Sequence, residues 1–220
     1  MSIAENINRI RKEIPEYVTL IAVSKTKPIP DLLEAYHAGQ RHFGENKVQE
    51  MLQKWENMPK DIHWHLIGHL QSNKVKFIAP FVFMIHAIDS LKLLKEVDKQ
   101  AVKNGRTIDV LLQFFIANEE TKFGMNWDEA IELLRSDEFQ AMKNIRIRGV
   151  MGMASFTEDE QQIRKEFNTL KNYFREIKEN FFSHTDFFDT ISMGMSGDYV
   201  LAVEEGSTMV RVGSSIFGSR

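Results

Sequence analysis

Eight short runs rich in β-branched and aromatic residues recur along the 220-residue chain, and the segments between them carry helical periodicity. That alternation marks βα units and a parallel sheet. The runs fall at Thr19–Ser24, Arg41–Gly44, His63–Ile67, Val82–Ala87, Ile108–Phe115, Ile147–Met151, Thr185–Ser192 and Met209–Val212. Roughly eight parallel strands close a (β/α)8 barrel. The predicted fold class is therefore α/β, a single TIM barrel, with an extra helix near Ile3–Lys12 ahead of the first strand.

The helices between the runs carry start and stop signals. Pro30 and Asp31 open a helix to Ala38, with Gly39 as its C-terminal signal. Val48–Trp55 fits the next. Ser90 reads as the N-cap of Leu91–Asn104, which Gly105 terminates. Asn126 or Asp128 opens another helix to Leu134, and Thr157 with Glu160 reads as a capping box before a helix running to Asn180. No repeat, low-complexity tract or linker interrupts this order, so residues 1–220 are expected to form one domain.

Lysine plus arginine total 28 against 31 aspartate plus glutamate, with the two signs interspersed, which argues against nucleic acid as a partner. The chain has no cysteine, starts Met-Ser-Ile-Ala-Glu without a basic-then-apolar leader, and contains no apolar run near ~18 residues. A soluble, cytoplasmic chain with no disulfide and no membrane contact is expected.

In such a barrel, chemistry collects at the C-terminal ends of the strands. Lys25 closes the first apolar run, where an amine desolvated on one side has a lowered pKa and can attack an aldehyde. Met193-Gly194-Met195-Ser196-Gly197-Asp198 follows the seventh strand, and Arg211-Val212-Gly213-Ser214-Ser215 closes the eighth. Glycines let backbone N–H groups approach an anion and serines add donors, so these two loops suit one phosphate. Arg211 lies between Val210 and Val212, where a cation must be paired or face a ligand. An interior salt bridge or a guanidinium beside a bound heterocycle or its phosphate both fit. Asn46 ends the second strand on the same rim, placed either to donate to a phenolic oxygen or to cap the following helix.

His63, His65 and His69 form the competing candidate, a metal site of a metal-dependent hydrolase, since His63 and His65 share a strand face. Against it, no strand-end aspartate completes a ligand set. Most of the 11 methionines read as core filler, with Met153 placed over a ligand face. A lysine at strand one and a phosphate cup at strands seven and eight together describe a phosphorylated aldehyde cofactor, of which pyridoxal 5′-phosphate (PLP) is the familiar case.

Several segments resemble one known family along the whole chain. They are Ala22-Val23-Ser24-Lys25-Thr26-Lys27-Pro28, Phe43-Gly44-Glu45-Asn46 with Gln49-Glu50, and Trp64-His65-Leu66-Ile67-Gly68-His69-Leu70-Gln71-Ser72-Asn73-Lys74. Gly149-Val150-Met151-Gly152-Met153, Ser192-Met193-Gly194-Met195-Ser196-Gly197-Asp198 and Arg211-Val212-Gly213-Ser214-Ser215-Ile216-Phe217-Gly218 continue the match. The family is that of the pyridoxal phosphate homeostasis proteins, which are similar to the N-terminal domain of alanine racemases.

The resemblance implies a fold type III PLP-binding barrel, Lys25 carrying the cofactor as an internal aldimine, and phosphate contacts from Ser196, Gly213 and Ser214. It places Arg211 near either the pyridine nitrogen or the phosphate. It implies a protein that buffers and delivers PLP within vitamin B6 metabolism, with PLP-dependent apo-enzymes as recipients and no established turnover. A PLP-dependent amino-acid racemase is the alternative. The related racemases take a second catalytic base, a tyrosine, from a β-rich domain of the partner subunit. None of Tyr17, Tyr36, Tyr173 or Tyr199 comes from such a domain, so a two-base reaction lacks one base. An arginine at the pyridine nitrogen would also weaken the ring as an electron sink. A non-catalytic carrier is expected, and a monomer is preferred, because the racemases' main dimer contact involves that second domain.

Overall fold

The computed structural model describes residues 1–117 and 123–218. Eight strands run in chain order: β1 Thr19–Val23, β2 His42–Glu45, β3 His63–Leu66, β4 Met84–Ile88, β5 Ile108–Gln113, β6 Ile145–Met151, β7 Thr190–Ser192 and β8 Met209–Val212. Each pairs in parallel with the next, and β8 returns to β1 through Thr19 opposite Met209 and Ala22 opposite Val212, which closes the barrel. The helices are α1 Ile3–Glu13, α2 Ile29–His37, α3 Val48–Asn57, α4 Val75–Ile78, α5 Leu91–Lys103, α6 Trp127–Arg135, α7 Asp137–Ala141, α8 Glu160–Phe181, α9 Tyr199–Glu204 and α10 Ser214–Phe217.

The strands are mostly buried along their length because both faces are covered. One face packs on the helices, where Phe43, Trp64, Val110 and Val150 meet Leu32, Met51, Leu94 and Phe167 in the main core. The other face fills the barrel interior with Ile21, Met84, Leu111, Met151 and Met209. Burying apolar surface on both sides at about 25 cal/mol per Å² is what makes so short a strand set stable.

Strand count and order agree with the sequence expectation, and the differences lie at the ends. The seventh strand does not begin at Thr185. Thr185 bonds back to the Phe182 carbonyl through both its N–H and its hydroxyl, which completes the turn that ends α8, so β7 starts only at Thr190. β5 stops at Gln113, and Phe114 makes an isolated parallel bridge to Met125 instead.

The expected capping box at Thr157 and Glu160 is corrected as well. Asp159 is the N-cap of α8, accepting from the N–H groups of Gln161 and Gln162, while the Thr157 hydroxyl accepts from Asp159 N–H at 3.1 Å. A carboxylate placed closer to the free N–H groups takes the cap, and the threonine braces it. Ser90 caps α5 and Asn126 caps α6 with Glu129, as their positions predict.

One glycine is fixed by packing. A Cβ on Gly149 in β6 would lie 1.8 Å from the Thr190 carbonyl oxygen, so β7 approaches only because the side chain is absent. The β5–β6 register shifts beside it, between Val110 and Leu111.

Candidate functional site

A cavity of about 590 Å³ opens at the C-terminal ends of the strands. Its wall takes Lys25 after β1, Asn46 after β2, Met153 after β6, Ser196 after β7, and Arg211, Gly213 and Ser214 from the end of β8. The seven residues read from the sequence as cofactor contacts thus share one cavity, although they come from loops up to 189 residues apart, between Lys25 and Ser214. Asn46 caps nothing: Lys47 occupies the N-cap position of α3, and no side chain caps that helix.

The loops after β7 and β8 are joined through one hydroxyl. Ser196 Oγ accepts from Gly213 N–H at 3.0 Å and from Ser215 N–H at 3.4 Å. A Cβ on Gly213 would stand 3.2 Å from the Val23 carbonyl oxygen, so the absence of a side chain lets this loop lie on the end of β1. Small residues and N–H groups thereby meet at one wall of the cavity, an arrangement suited to an anion. Asp198 accepts from Met195 N–H at 2.5 Å beside it, and burial raises the Asp198 carboxyl pKa, an effect that this bond and, less, the nearby Arg211 partly offset.

Arg211 is 3% exposed. One terminal nitrogen donates to Ser192 Oγ at 2.6 Å and the other to the Gly152 carbonyl at 3.0 Å. Among the described residues no carboxylate forms an ion pair with it, so the interior salt bridge considered from the sequence is not the reason for its burial. Burial lowers its pKa to about 10, which leaves it charged at neutral pH.

Behind Ser192 stands a file of histidines. Ser192 Oγ lies 3.1 Å from His86 Nδ1, His86 Nε2 lies 3.0 Å from His65 Nδ1, His65 Nε2 lies 2.9 Å from His42 Nδ1, and His42 Nε2 lies 3.3 Å from His63 Nδ1. The file crosses the barrel from the end of β7 to the first residue of β3. Its proton order follows from the arginine. A guanidinium only donates, so Ser192 accepts from it, and among the described residues His86 Nδ1 is the acceptor at hand for the Ser192 proton; with that bond made, each imidazole in turn is neutral and protonated on Nε2. Burial is the main cause that lowers all four pKa values, to about 4 for His42 and well below the ordinary value for His65 and His86.

This arrangement does not bring the three histidines of the metal reading together. His63 and His65 are committed to other imidazoles. His69 sits apart from them, exposed, 3.3 Å from Asp89. Among the described residues no three histidine, cysteine, aspartate or glutamate side chains are grouped to hold a metal.

A second buried polar group underlies Lys25. Lys54, 4% exposed on α3, donates to the Ser24 carbonyl at 2.7 Å, to Glu45 Oε1 at 2.8 Å and to Glu50 Oε1 at 2.7 Å. Ser24 Oγ also donates to Glu45 Oε1, at 2.6 Å, and burial raises the Glu45 pKa against the pull of Lys54. Sequence reasoning did not single out Lys54, Glu45, His42, His86 or Ser192. Glu50 and Lys54 have the spacing of an ordinary surface ion pair, and only the burial of Lys54 separates them from one.

The family model described as alanine racemase, N-terminal domain, matches residues 1–220. The pyridoxal phosphate homeostasis protein of Vibrio alginolyticus is 37% identical, covering 100% of this chain and 98% of its own. That of Schizosaccharomyces pombe is 41% identical over 92% of this chain and 84% of its own. PipY of Synechococcus elongatus, solved without PLP, superposes with a TM-score of 0.91 at 35% identity over 99% of this chain and all of PipY, and its PLP-bound structure with 0.88. Alanine racemase of Clostridium difficile, at 14% identity, shares the barrel alone, with a TM-score of 0.81. With the barrel, the cavity and this full-length likeness in agreement, the chain belongs to the family of pyridoxal phosphate homeostasis proteins.

Proposed function

We propose that this cavity binds PLP and that the chain holds the cofactor for the cell's PLP-dependent enzymes rather than turning over a substrate. When bound, PLP supplies an aldehyde that a lysine amine can capture reversibly. The observation that carries the reading is that Lys25 and the Ser196–Gly213–Ser215 cup face one cavity, so an amine and an anion site are available to the same molecule. Its volume lies within the range of small-molecule sites. PipY, solved with PLP bound, supports the choice of ligand.

The residues divide the work by chemistry. Lys25 Nζ provides the nucleophile, and its bond to the aldehyde carbon releases one water. Ser196, Gly213 and Ser214 receive the phosphate: the serine O–H groups donate to it, and the Gly213 N–H, held by Ser196 Oγ, polarises that hydroxyl as a donor. Arg211, held by Ser192 and Gly152 two residues before Gly213 on β8, is read as placing its charge at the ring end of the ligand, and its distance along the strand from the cup supports that reading. Asn46 and Met153 bound the remaining sides.

The carrier reading rests on what lines the cavity. Its titratable side chains, among the described residues, are Lys25, Lys27, Asp198 and Arg211, and no tyrosine is among them. Lys27 donates to the Phe217 and Gly218 carbonyls, each at 3.1 Å. Tyr36 bonds Asp61, Tyr199 bonds Glu13, and Tyr173 packs on Phe114 and Trp127. A second base opposite Lys25 is thus missing from these positions. The reading extends to a monomeric, single-domain cytoplasmic protein that meets apo-enzymes and neither nucleic acid nor membrane. No helix among the described residues is long and apolar enough to cross a membrane.

The test is the visible spectrum of purified protein with added PLP, followed by borohydride reduction and peptide mapping. A yellow band trapped on the peptide containing Lys25 is expected. A colourless protein with no adduct overturns the ligand, and sustained amino-acid turnover above that of free PLP overturns the carrier.

A further inference from the structure

The four residues Ser24-Lys25-Thr26-Lys27 form a tight turn in which Lys27 N–H donates to the Ser24 carbonyl at 3.0 Å. Thr26, at the third position, has φ +66, while Lys25 keeps a negative φ. That combination is a type II turn, whose third position favours glycine. A β-branched residue there is a conformational outlier. Thr26 is exposed, so burial of its side chain does not account for the choice. Strain of this kind persists only where neighbours hold it, and it gathers beside functional groups.

The neighbours that hold it come from one helix. The carbonyl just before Lys25 and the N–H just after it are both taken by α3: Lys54 Nζ donates to Ser24 O at 2.7 Å, and Glu50 Oε1 accepts from Thr26 N–H at 2.5 Å. Glu50 and Lys54 stand one helical turn apart and pair at 2.7 Å. The third Lys54 proton goes to Glu45, at 2.8 Å, so all three donors of the ammonium are used. β1 fixes the chain upstream of Lys25, and α2 fixes it from Ile29 onward. Relaxation at Thr26 is therefore confined to the short segment Ser24–Pro28 between those anchors, in which Lys25 is the adjoining residue.

We propose that Glu50 and Lys54 are positioning residues for Lys25, holding the strained turn at Thr26 so that the Lys25 amine stays aimed into the cavity. The inference rests on Lys25 being the residue that bonds PLP. Neither α3 side chain touches the ligand in this account; both act through the backbone on either side of Lys25.

Hydrogen exchange at the Thr26 amide in cofactor-free protein tests the grip without any ligand. An exposed turn residue ordinarily exchanges fast, so slow exchange in the natural sequence and fast exchange in Glu50→Ala are expected, and fast exchange in the natural sequence overturns the proposal. The second measurement is the rate at which PLP bonds to Lys25, followed by absorbance, with circular dichroism and melting recorded in parallel. Glu50→Ala is expected to slow it about tenfold, while Glu50→Gln, which keeps an acceptor oxygen, stays within about threefold of the natural rate. Thr26→Gly should leave the rate near natural and restore it in the Glu50→Ala background, because glycine takes this φ without strain. A fold defect would not be repaired by glycine in a turn. A Glu50→Ala protein as fast as the natural one, or one that Thr26→Gly fails to rescue, sinks the proposal. If the natural protein takes no PLP at Lys25, the ligand reading fails instead, and the exchange result still decides the grip.

Discussion

A single hydroxyl, Ser196 Oγ, joins the loops after β7 and β8 by accepting two N–H groups. Ser196→Ala leaves the barrel intact but lets those loops part, so PLP affinity is expected to fall about tenfold, measured by absorbance titration, with melting little changed. Gly149 carries the opposite kind of constraint. Gly149→Ala forces a Cβ into the Thr190 carbonyl and is expected to cost at least about 4 kcal/mol, read as loss of soluble folded protein or a large drop in urea midpoint. A variant with a normal midpoint would show that β7 can move away. Both residues belong to glycine- or serine-bearing motifs of similar appearance in the sequence, Gly149-Val150-Met151-Gly152 and Ser196-Gly197, yet one serves packing and the other the cavity.

At the scale of elements, α8 offers a direct comparison of two adjacent caps. Asp159→Ala is expected to destabilise by about 1 kcal/mol, because it frees the Gln161 and Gln162 N–H groups. Thr157→Ala should cost less than about 0.5 kcal/mol. The reverse order in urea unfolding would restore the capping box at Thr157. All eight strands were legible through their β-branched and aromatic enrichment between helical segments, and long helices were legible through their periodicity and caps. The short helices α4, α7, α9 and α10 span four to six residues each, too few for a period to register. That the seven residues would line one cavity was legible because barrel architecture gathers strand ends on one rim. Their supports were not. His42, His65 and His86 lie in different runs, and only the pairing of β2, β3 and β4 brings them into file; Glu45, Glu50 and Lys54 look like any charged segment until α3 folds back over the end of β1.

Across the whole molecule, the buried imidazoles set how the fold answers acid. A histidine whose folded pKa lies below its ordinary 6.5, as that of His42 does at about 4, binds fewer protons folded than unfolded. Its contribution to stability is then fully present above about 6.5 and is lost as pH falls through that window. His65, His86 and His63 shift the same way, so their effects add. The urea midpoint is expected to drop between pH 7 and 5, and to drop less steeply in His42→Asn. Equal slopes would mean that His42 is not held neutral. Nitrogen-15 spectra of the cofactor-free protein at neutral pH should show all four rings protonated on Nε2 alone, and a single Nδ1–H ring would break the file as drawn.

That common proton order has an electrical consequence. Each imidazole in the file turns its bare Nδ1 towards Ser192 and its N–H towards the far end of the barrel, so four side-chain dipoles lie head to tail, much as peptide groups do along a helix. Their negative end meets the Arg211 guanidinium. A barrel floor made of uncharged rings thus helps to offset a buried positive charge from below, while the Asp198 carboxylate acts on it from the rim, and no ion pair ties that charge away from what enters the cavity.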